Sequence, residues 1–186
     1  MRPLPLTLLV ALVAPLTACT TPIRDLSAGQ VLVRTEPAHR YRPQQLVVAV
    51  TLKTRRDLYS IPEDYRLHAE TYFCDSPKDF VFLGRTIFVP ATEADAPLKA
   101  LGESGASNPP DTSGVHTYIV LLDVSRAASP NSKPPQIGFD LAASPRSVCI
   151  WLQGGGYMEP SVSSNTVKVP DSEIRAAFER YGKPRG

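Results

Sequence analysis

The alternation of apolar and polar residues along the chain predicts a series of short β-strands. In residues 46–53, every second side chain from Leu46 to Leu52 is a Leu or Val that points to one face, which is the period of two of a sheet. Similar strand signals recur in seven further runs, at 30–35, 65–74, 80–89, 115–124, 137–141, 147–153 and 162–169. The run at 115–124 is almost continuously apolar and is expected to be buried on both faces.

One helix is predicted, at the C-terminal end of the chain. Asp171 is placed to cap it, and one apolar stripe then recurs at helical spacing, formed by Ile174, Ala177, Phe178 and Tyr181. Gly182 and Pro184 follow as stop signals. The stripe favours a helix that lies on the sheets as a lid, and the alternative is a docking helix for a partner.

The order of these elements predicts the fold class. Because no helical segment separates successive strands, parallel βαβ units are disfavoured. We therefore predict a mainly β fold, an antiparallel β-sandwich of about seven or eight strands with one C-terminal α-helix. Residues 92–114 and 127–136 have little apolar periodicity and are predicted as long loops.

The first of these loops is a candidate partner-binding segment. Leu98 and Leu101 are its only large apolar side chains, and binding energy usually concentrates in a few such anchors. The alternative is a loop that is simply disordered or variable.

The N-terminal segment has the organisation of an export signal. Arg2 precedes a mostly apolar stretch at 4–16, which as a helix would reach only about 20 Å. A bilayer core of about 30 Å needs a longer span, so the stretch fits a secretory signal peptide better than a membrane helix.

A cysteine motif follows this stretch, in the run Leu16-Thr17-Ala18-Cys19. The run resembles the lipobox of bacterial lipoproteins, which implies cleavage before Cys19, a diacylglycerol on its thiol and a further acyl chain on its amino group. Several acyl chains give stable membrane attachment. In that class Thr20 stands where an Asp would signal inner-membrane retention, which implies outer-membrane sorting. The alternative is an ordinary signal peptide with an incidental cysteine.

These boundaries predict three parts of the chain. They are a signal peptide at 1–18, a lipidated tether at 19–29 and a single β-rich periplasmic domain at 30–186. A lipid anchor at Cys19 makes the membrane the first expected partner.

Composition limits the function classes. The formal net charge is +2 over 186 residues, so the chain lacks the basic excess that nucleic-acid binding requires. Hydrophobic residues make up 42%, which is enough for a packed core. The 19 prolines are about twice the usual share and favour short strands and many loops.

Two cysteines remain once Cys19 is set aside, Cys74 and Cys149. An exported chain folds in an oxidising compartment, so a single bridge between them is expected. The alternative is two unpaired cysteines in the core.

The surroundings of these cysteines resemble immunoglobulin-type domains in part. Tyr72-Phe73-Cys74 matches a Tyr-x-Cys motif, and Trp151 lies two residues after Cys149. In those domains the motif accompanies the second cysteine and the Trp lies between the two, so the order departs here. The resemblance supports a disulfide-pinned sandwich and does not support true immunoglobulin ancestry. The predicted sandwich is immunoglobulin-like or transthyretin-like in outline.

Candidate metal and catalytic residues are scattered. His68 and Glu70 share one strand face, but a zinc site needs three or four ligands, and His39 and His116 lie on unrelated segments. A partly exposed strand histidine is the alternative interpretation of His68.

The remaining motifs are incomplete. Gly102-Glu103-Ser104-Gly105-Ala106 resembles a Gly-x-Ser-x-Gly elbow but ends in Ala and lies in a predicted loop. Gly154-Gly155-Gly156 favours a flexible turn over close backbone approach to a ligand. Carboxylates on predicted loops give no obvious acid–base pair, namely Glu63, Asp64, Glu93, Asp95 and Glu103. The sequence therefore predicts no enzyme, no metal and no cofactor.

Three function hypotheses follow. The first is an outer-membrane-anchored scaffold module that binds an envelope protein. The second is an inhibitor or immunity lipoprotein whose loop at 92–114 blocks a toxin or a cell-wall-degrading enzyme. The third is an envelope hydrolase that uses His68, Glu70 and other carboxylates.

Overall fold

The computed structural model describes residues 22–36, 44–61, 66–76, 84–91, 98–104, 106–129, 131, 137–155 and 161–182. The strands are β1 (Ser27–Glu36), β2 (Gln45–Thr54), β3 (His68–Phe73), β4 (Ile87–Val89), β5 (Lys99–Ala100), β6 (His116–Asp123), β7 (Ser125–Arg126), β8 (Phe139–Asp140), β9 (Val148–Gly154), β10 (Val162–Ser163) and β11 (Val167–Val169). A short 3-10 helix spans Leu58–Ser60, and α1 spans Asp171–Tyr181.

The strands form antiparallel sheets. The larger sheet has the order β1-β2-β6-β4-β5. The smaller sheet is built around β9, which pairs with β3 along one edge and with β10 and β11 along the other. β7 and β8 form a separate two-stranded ribbon. The predicted mainly β, antiparallel fold with one C-terminal helix is confirmed.

Both sheets contribute to one hydrophobic core. β6 and β9 bury every second side chain, whereas β2 buries the four successive residues 47–50. The fully buried side chains include Val48, Val50, Leu52, Tyr118, Val120, Leu122, Val148, Ile150 and Leu152. The prediction that 115–124 is buried on both faces is wrong, because the buried positions of β6 alternate with half-buried ones. This strand belongs to an antiparallel sheet with one core-facing side.

Helix α1 lies on the sheets as a lid. Ile174 and Ala177 are buried in the core, and the Arg180 guanidinium donates to the Val31 carbonyl at 2.8 Å. Asp171 is not the capping residue, because Pro170 occupies that position. The Asp171 N–H instead donates to the Ser147 hydroxyl at 3.2 Å, so the helix N-terminus is held by the segment before β9.

The folded domain begins earlier than the sequence indicates. Ile23 and Leu26 are only 2% and 4% exposed. The Asn165 side chain accepts from the Leu26 N–H at 3.0 Å and donates to the Leu26 carbonyl at 2.8 Å. Residues 22–29 are therefore part of the domain, and the tether predicted for 19–29 is too long. Ile23 and Leu26 belong to no periodic pattern, so nothing in the sequence indicated that they would be buried.

Two further predicted segments differ from the structure. The described part of the loop predicted at 92–114 contains β5, which adds an edge strand to the larger sheet. The strand predicted at 162–169 is interrupted between β10 and β11, where Ser164 makes a parallel bridge to Ile23. Within the described ranges, no helix is long and apolar enough to cross a bilayer.

Candidate functional site

A cleft of about 590 Å³ opens where β2 ends and β3 begins. Three chain segments line it, at 58–61, 66–67 and 101–103. Its walls are partly aliphatic, from Leu58, Ile61, Leu67 and Leu101, and polar groups supply a comparable share of the lining. A concave site of this size with apolar walls and a few polar groups has the dimensions of a small-ligand or anchor-residue pocket.

The 3-10 helix after β2 builds one wall of the cleft. The Asp57 carboxylate accepts from the Tyr59 N–H at 3.0 Å and starts the turn. Leu58 is 1% exposed, and its N–H donates to the Tyr118 hydroxyl at 2.7 Å. The wall is thus fixed at Leu58 to the core below it.

Tyr59 differs from its neighbours because its hydroxyl lacks a partner. The oxygen is shielded from solvent and makes no hydrogen bond within the described part of the chain. Burial raises the pKa of the phenol above its usual 10.0, and the Asp57 and Glu103 carboxylates raise it further. A buried hydroxyl without a partner costs free energy, so a ligand acceptor that reaches it recovers part of that cost.

A tight turn after β5 forms the second wall. The Leu101 N–H donates to the Ile87 carbonyl at 2.8 Å, which fixes the turn to β4. Gly102 adopts a φ of 86°, in the left-handed region that glycine tolerates. One Glu103 carboxylate oxygen accepts from the Ala100 N–H at 2.9 Å, and no ion pair neutralises this exposed carboxylate among the residues described.

Arg66 supplies the opposite charge at the third wall. Its φ of 45° is uncommon for a residue with a side chain and costs on the order of 1 kcal/mol. Its carbonyl lies 3.0 Å from His68 Nδ1, and His68 Nε2 lies 2.7 Å from the Glu70 carboxylate. Glu70 is also paired with Arg85 at 3.0 Å, so a network on β3 holds the strained backbone in place.

The hydroxyl groups of the cleft come from Tyr59 and Ser60. Ser60 donates to the Asp57 carbonyl at 2.6 Å, and no histidine is among the described residues that line the cleft. Nucleophilic catalysis needs a base within hydrogen-bond reach of the nucleophile. Aliphatic walls, one exposed cation, one exposed anion and one unpaired hydroxyl together favour non-covalent recognition.

At the far end of β3, near Cys74, the charged groups are paired. Cys74 and Cys149 are joined in a disulfide with a Cα–Cα distance of 5.1 Å, so the predicted bridge is confirmed. The Arg146 guanidinium lies 3.9 Å from the centre of the Phe73 ring and forms an ion pair with Asp75. This hydrogen bond from Arg146 lowers the pKa of the Asp75 carboxyl below its usual 3.8.

The structure brings only some of the sequence-predicted site residues together. Leu101 and Glu103 both line the cleft, whereas Leu98 is half-buried beside β5 and does not line it. His68 and Glu70 share a face as expected, and His116 is separate, with Nδ1 2.8 Å from the Asn108 carbonyl. Across the described residues, no group of three or more potential ligands is placed to hold a metal.

The remaining candidate residues are described but apart from the cleft lining, or they lie outside the described residues. Ser104 is exposed, and Gly154 ends β9. Several candidates lie outside the described residues, namely Cys19, His39, Glu63, Asp64, Glu93, Asp95, Gly105 and Gly156.

Sequence reasoning missed Tyr59 and Arg66. Tyr59 lies in the 3-10 helix after β2 and Arg66 lies just before β3, and neither belongs to a sequence motif. Comparisons with protein-family models, curated proteins and solved structures found no match to this chain.

Proposed function

We propose that this protein is an outer-membrane-anchored periplasmic lipoprotein that binds another envelope protein without turning it over. The proposal joins two parts of the chain. The Leu16-Thr17-Ala18-Cys19 run supplies the lipid anchor by its resemblance to the lipobox. The cleft supplies the binding site, about 590 Å³ in volume, and one of its walls is held to the core by the hydrogen bond from Leu58 to Tyr118.

The Cys74–Cys149 disulfide supports the compartment. Disulfides persist outside the cytoplasm and are rare inside it, so a bridge in the core-forming part of the chain favours an exported protein. The observation that carries the binding role is the cleft itself, because its Tyr59 hydroxyl is buried without a partner and its exposed Arg66 and Glu103 form no ion pair among the described residues. A buried polar group without a partner is costly in a merely structural surface and useful in a recognition site.

Photo-cross-linking in intact cells tests the binding role. In the first variant, a benzophenone amino acid replaces Ser104, which is exposed beside the cleft. In the control variant, the same amino acid replaces Glu179, which is exposed on α1. We expect the Ser104 probe to trap one identified envelope protein that the Glu179 probe does not. Loss of that adduct on Leu101→Asp would tie it to the cleft, and equal labelling from both positions would contradict a cleft-directed role.

Metabolic labelling with a palmitate analogue tests the anchor. We expect the wild type to carry the label and to fractionate with the outer membrane, whereas Cys19→Ser loses both properties. An unlabelled wild type, or membrane retention of Cys19→Ser through the same lipid, would overturn the lipoprotein assignment.

A further inference from the structure

The charges around the cleft indicate which ligand it selects. Arg66 and Glu103 belong to two of the three segments that line it, and both side chains are exposed. Neither forms an ion pair within the residues that the structure describes. The half-buried Leu67 and Leu101 supply the apolar part of the lining, whereas Leu58 and Ile61 are almost fully buried behind it. Among the described residues, the site therefore offers a partly apolar pocket with one cation, Arg66, and one anion, Glu103, at its rim.

We propose that the cleft binds an extended peptide segment of a partner protein, in which one large apolar side chain is flanked by a carboxylate and a basic group. The carboxylate pairs with Arg66, the basic group pairs with Glu103, and the apolar side chain fills the space between the aliphatic walls. This inference rests on the proposed binding function and adds the chemistry of the ligand.

The unpaired Tyr59 hydroxyl favours a peptide over a purely apolar ligand. A peptide backbone presents a carbonyl acceptor at every residue, so an apolar side chain that enters the cleft brings an acceptor with it. The hydroxyl is shielded from solvent and lacks a partner within the described chain, so it donates to a peptide carbonyl once the half-buried Tyr59 side chain turns towards the cleft on binding.

The volume sets the size of the segment. About 590 Å³ lies within the range of small-ligand pockets and holds a few residues at most. The expected affinity of a short peptide is consequently low, and exposed ion pairs each contribute only a small part of it.

The test is an NMR titration of the detergent-solubilised full chain with capped tripeptides. Two charged probes, Ac-Glu-Leu-Lys-amide and Ac-Lys-Leu-Glu-amide, cover the two chain directions, and Ac-Gln-Leu-Gln-amide is the neutral control. We expect amide shifts at 58–61 and 101–103 with one charged probe, and binding about 2–5-fold weaker for the neutral peptide. Replacing the central Leu by Ala should weaken binding at least tenfold.

A charge exchange separates recognition from stability. In the double variant Arg66→Glu with Glu103→Arg, the preference between the two charged probes should reverse, which partial unfolding cannot produce. Arg175→Gln and Glu179→Gln on α1 are matched controls and should leave the preference unchanged. Because a chain terminus can also supply the carboxylate, Ac-Lys-Leu with a free carboxylate is titrated in parallel, and tighter binding of that probe would assign the ligand to a C-terminus.

Two results would overturn the inference. One is equal binding of charged and neutral probes, and the other is no probe binding at millimolar concentration. If the cross-linked partner is nevertheless trapped from Ser104 and lost with Leu101→Asp, the binding function stands and only the ligand chemistry is wrong. If the partner is not trapped either, the proposed function itself fails.

Discussion

The two ends of β3 differ in how completely their polar groups are paired. At the end near Cys74, the disulfide closes the sheet, and Arg146 bonds both Asp75 and the Ser76 hydroxyl. At the beginning, the cleft leaves the Tyr59 hydroxyl without a hydrogen bond and the two rim charges without an ion pair among the described residues. The same strand runs through both ends, so the difference in pairing arises from the segments that pack around each end and not from β3 itself.

Stability and recognition are expected to depend on different ends of β3. Paired groups and a covalent bridge stabilise the domain without a ligand. Polar groups without partners in the cleft lower the stability of the free protein, and they increase the free energy that a ligand gains by pairing with them. The disulfide end is therefore expected to control the free energy of unfolding, and the cleft end is expected to control ligand affinity.

The largest expected effect is loss of the disulfide. Cys74→Ala with Cys149→Ala should lower the free energy of unfolding by about 4–5 kcal/mol, because the bridge closes a long loop in the unfolded chain. Urea denaturation of wild type and variant measures the difference. Tripeptide binding by the folded fraction should be unchanged, and a variant that keeps its stability but loses binding would reverse the roles assigned to the two ends.

The second effect is a loss of stability at alkaline pH. Burial raises the pKa of Tyr118 to about 12, so the folded state retains the phenolic proton when the unfolded chain, near its usual 10.0, has released it. Stability from this group is complete below pH 10 and decreases as the pH rises towards 12. The expected loss is about 2–3 kcal/mol.

Urea denaturation between pH 9 and 12 checks this loss. Lysines also titrate in this window, so the relevant quantity is the difference between wild type and Tyr118→Phe, which lacks the ionisable group. Parallel pH profiles for the two proteins would show that Tyr118 is not the source of the loss.

Sequence patterns predicted the elements whose side chains repeat. The alternation from Leu46 to Leu52 located β2, and the apolar stripe from Ile174 located α1, because burial on one face imposes a period. The disulfide was predictable because only one internal pairing was available once Cys19 was set aside. These features depend on local spacing or on simple counting.

The cleft was not predictable for the opposite reason. It joins segments at 58–61, 66–67 and 101–103, and the meeting of distant loops leaves no period in the sequence. Leu101 was noticed as an apolar residue in a polar loop, but its position beside Tyr59 depends on the pairing of β4 with β5. The interruption between β10 and β11 likewise depends on a contact with Ile23, far away in the chain.

The smallest expected change in stability is at Tyr59, and it gives the sharpest comparison with Tyr118. Tyr118→Phe removes the acceptor of the buried Leu58 N–H, so it should cost about 1–3 kcal/mol at neutral pH. Tyr59→Phe removes a hydroxyl that has no partner in the described structure, so the free energy of unfolding should stay the same or rise by less than about 1 kcal/mol.

For ligand binding, the order of the two substitutions should be reversed, with Tyr59→Phe having the larger direct effect. If a peptide carbonyl accepts from the Tyr59 hydroxyl, Tyr59→Phe should weaken tripeptide binding by about 2–10-fold, since a net hydrogen bond is worth about 0.5–1.5 kcal/mol. The Tyr118 hydroxyl donates to Asp57 and accepts from Leu58, so its loss acts on the wall and not on the ligand directly. A Tyr59→Phe protein that is destabilised as much as Tyr118→Phe would mean that the hydroxyl has a structural partner, and the contrast between the two ends of β3 would then lose its main support.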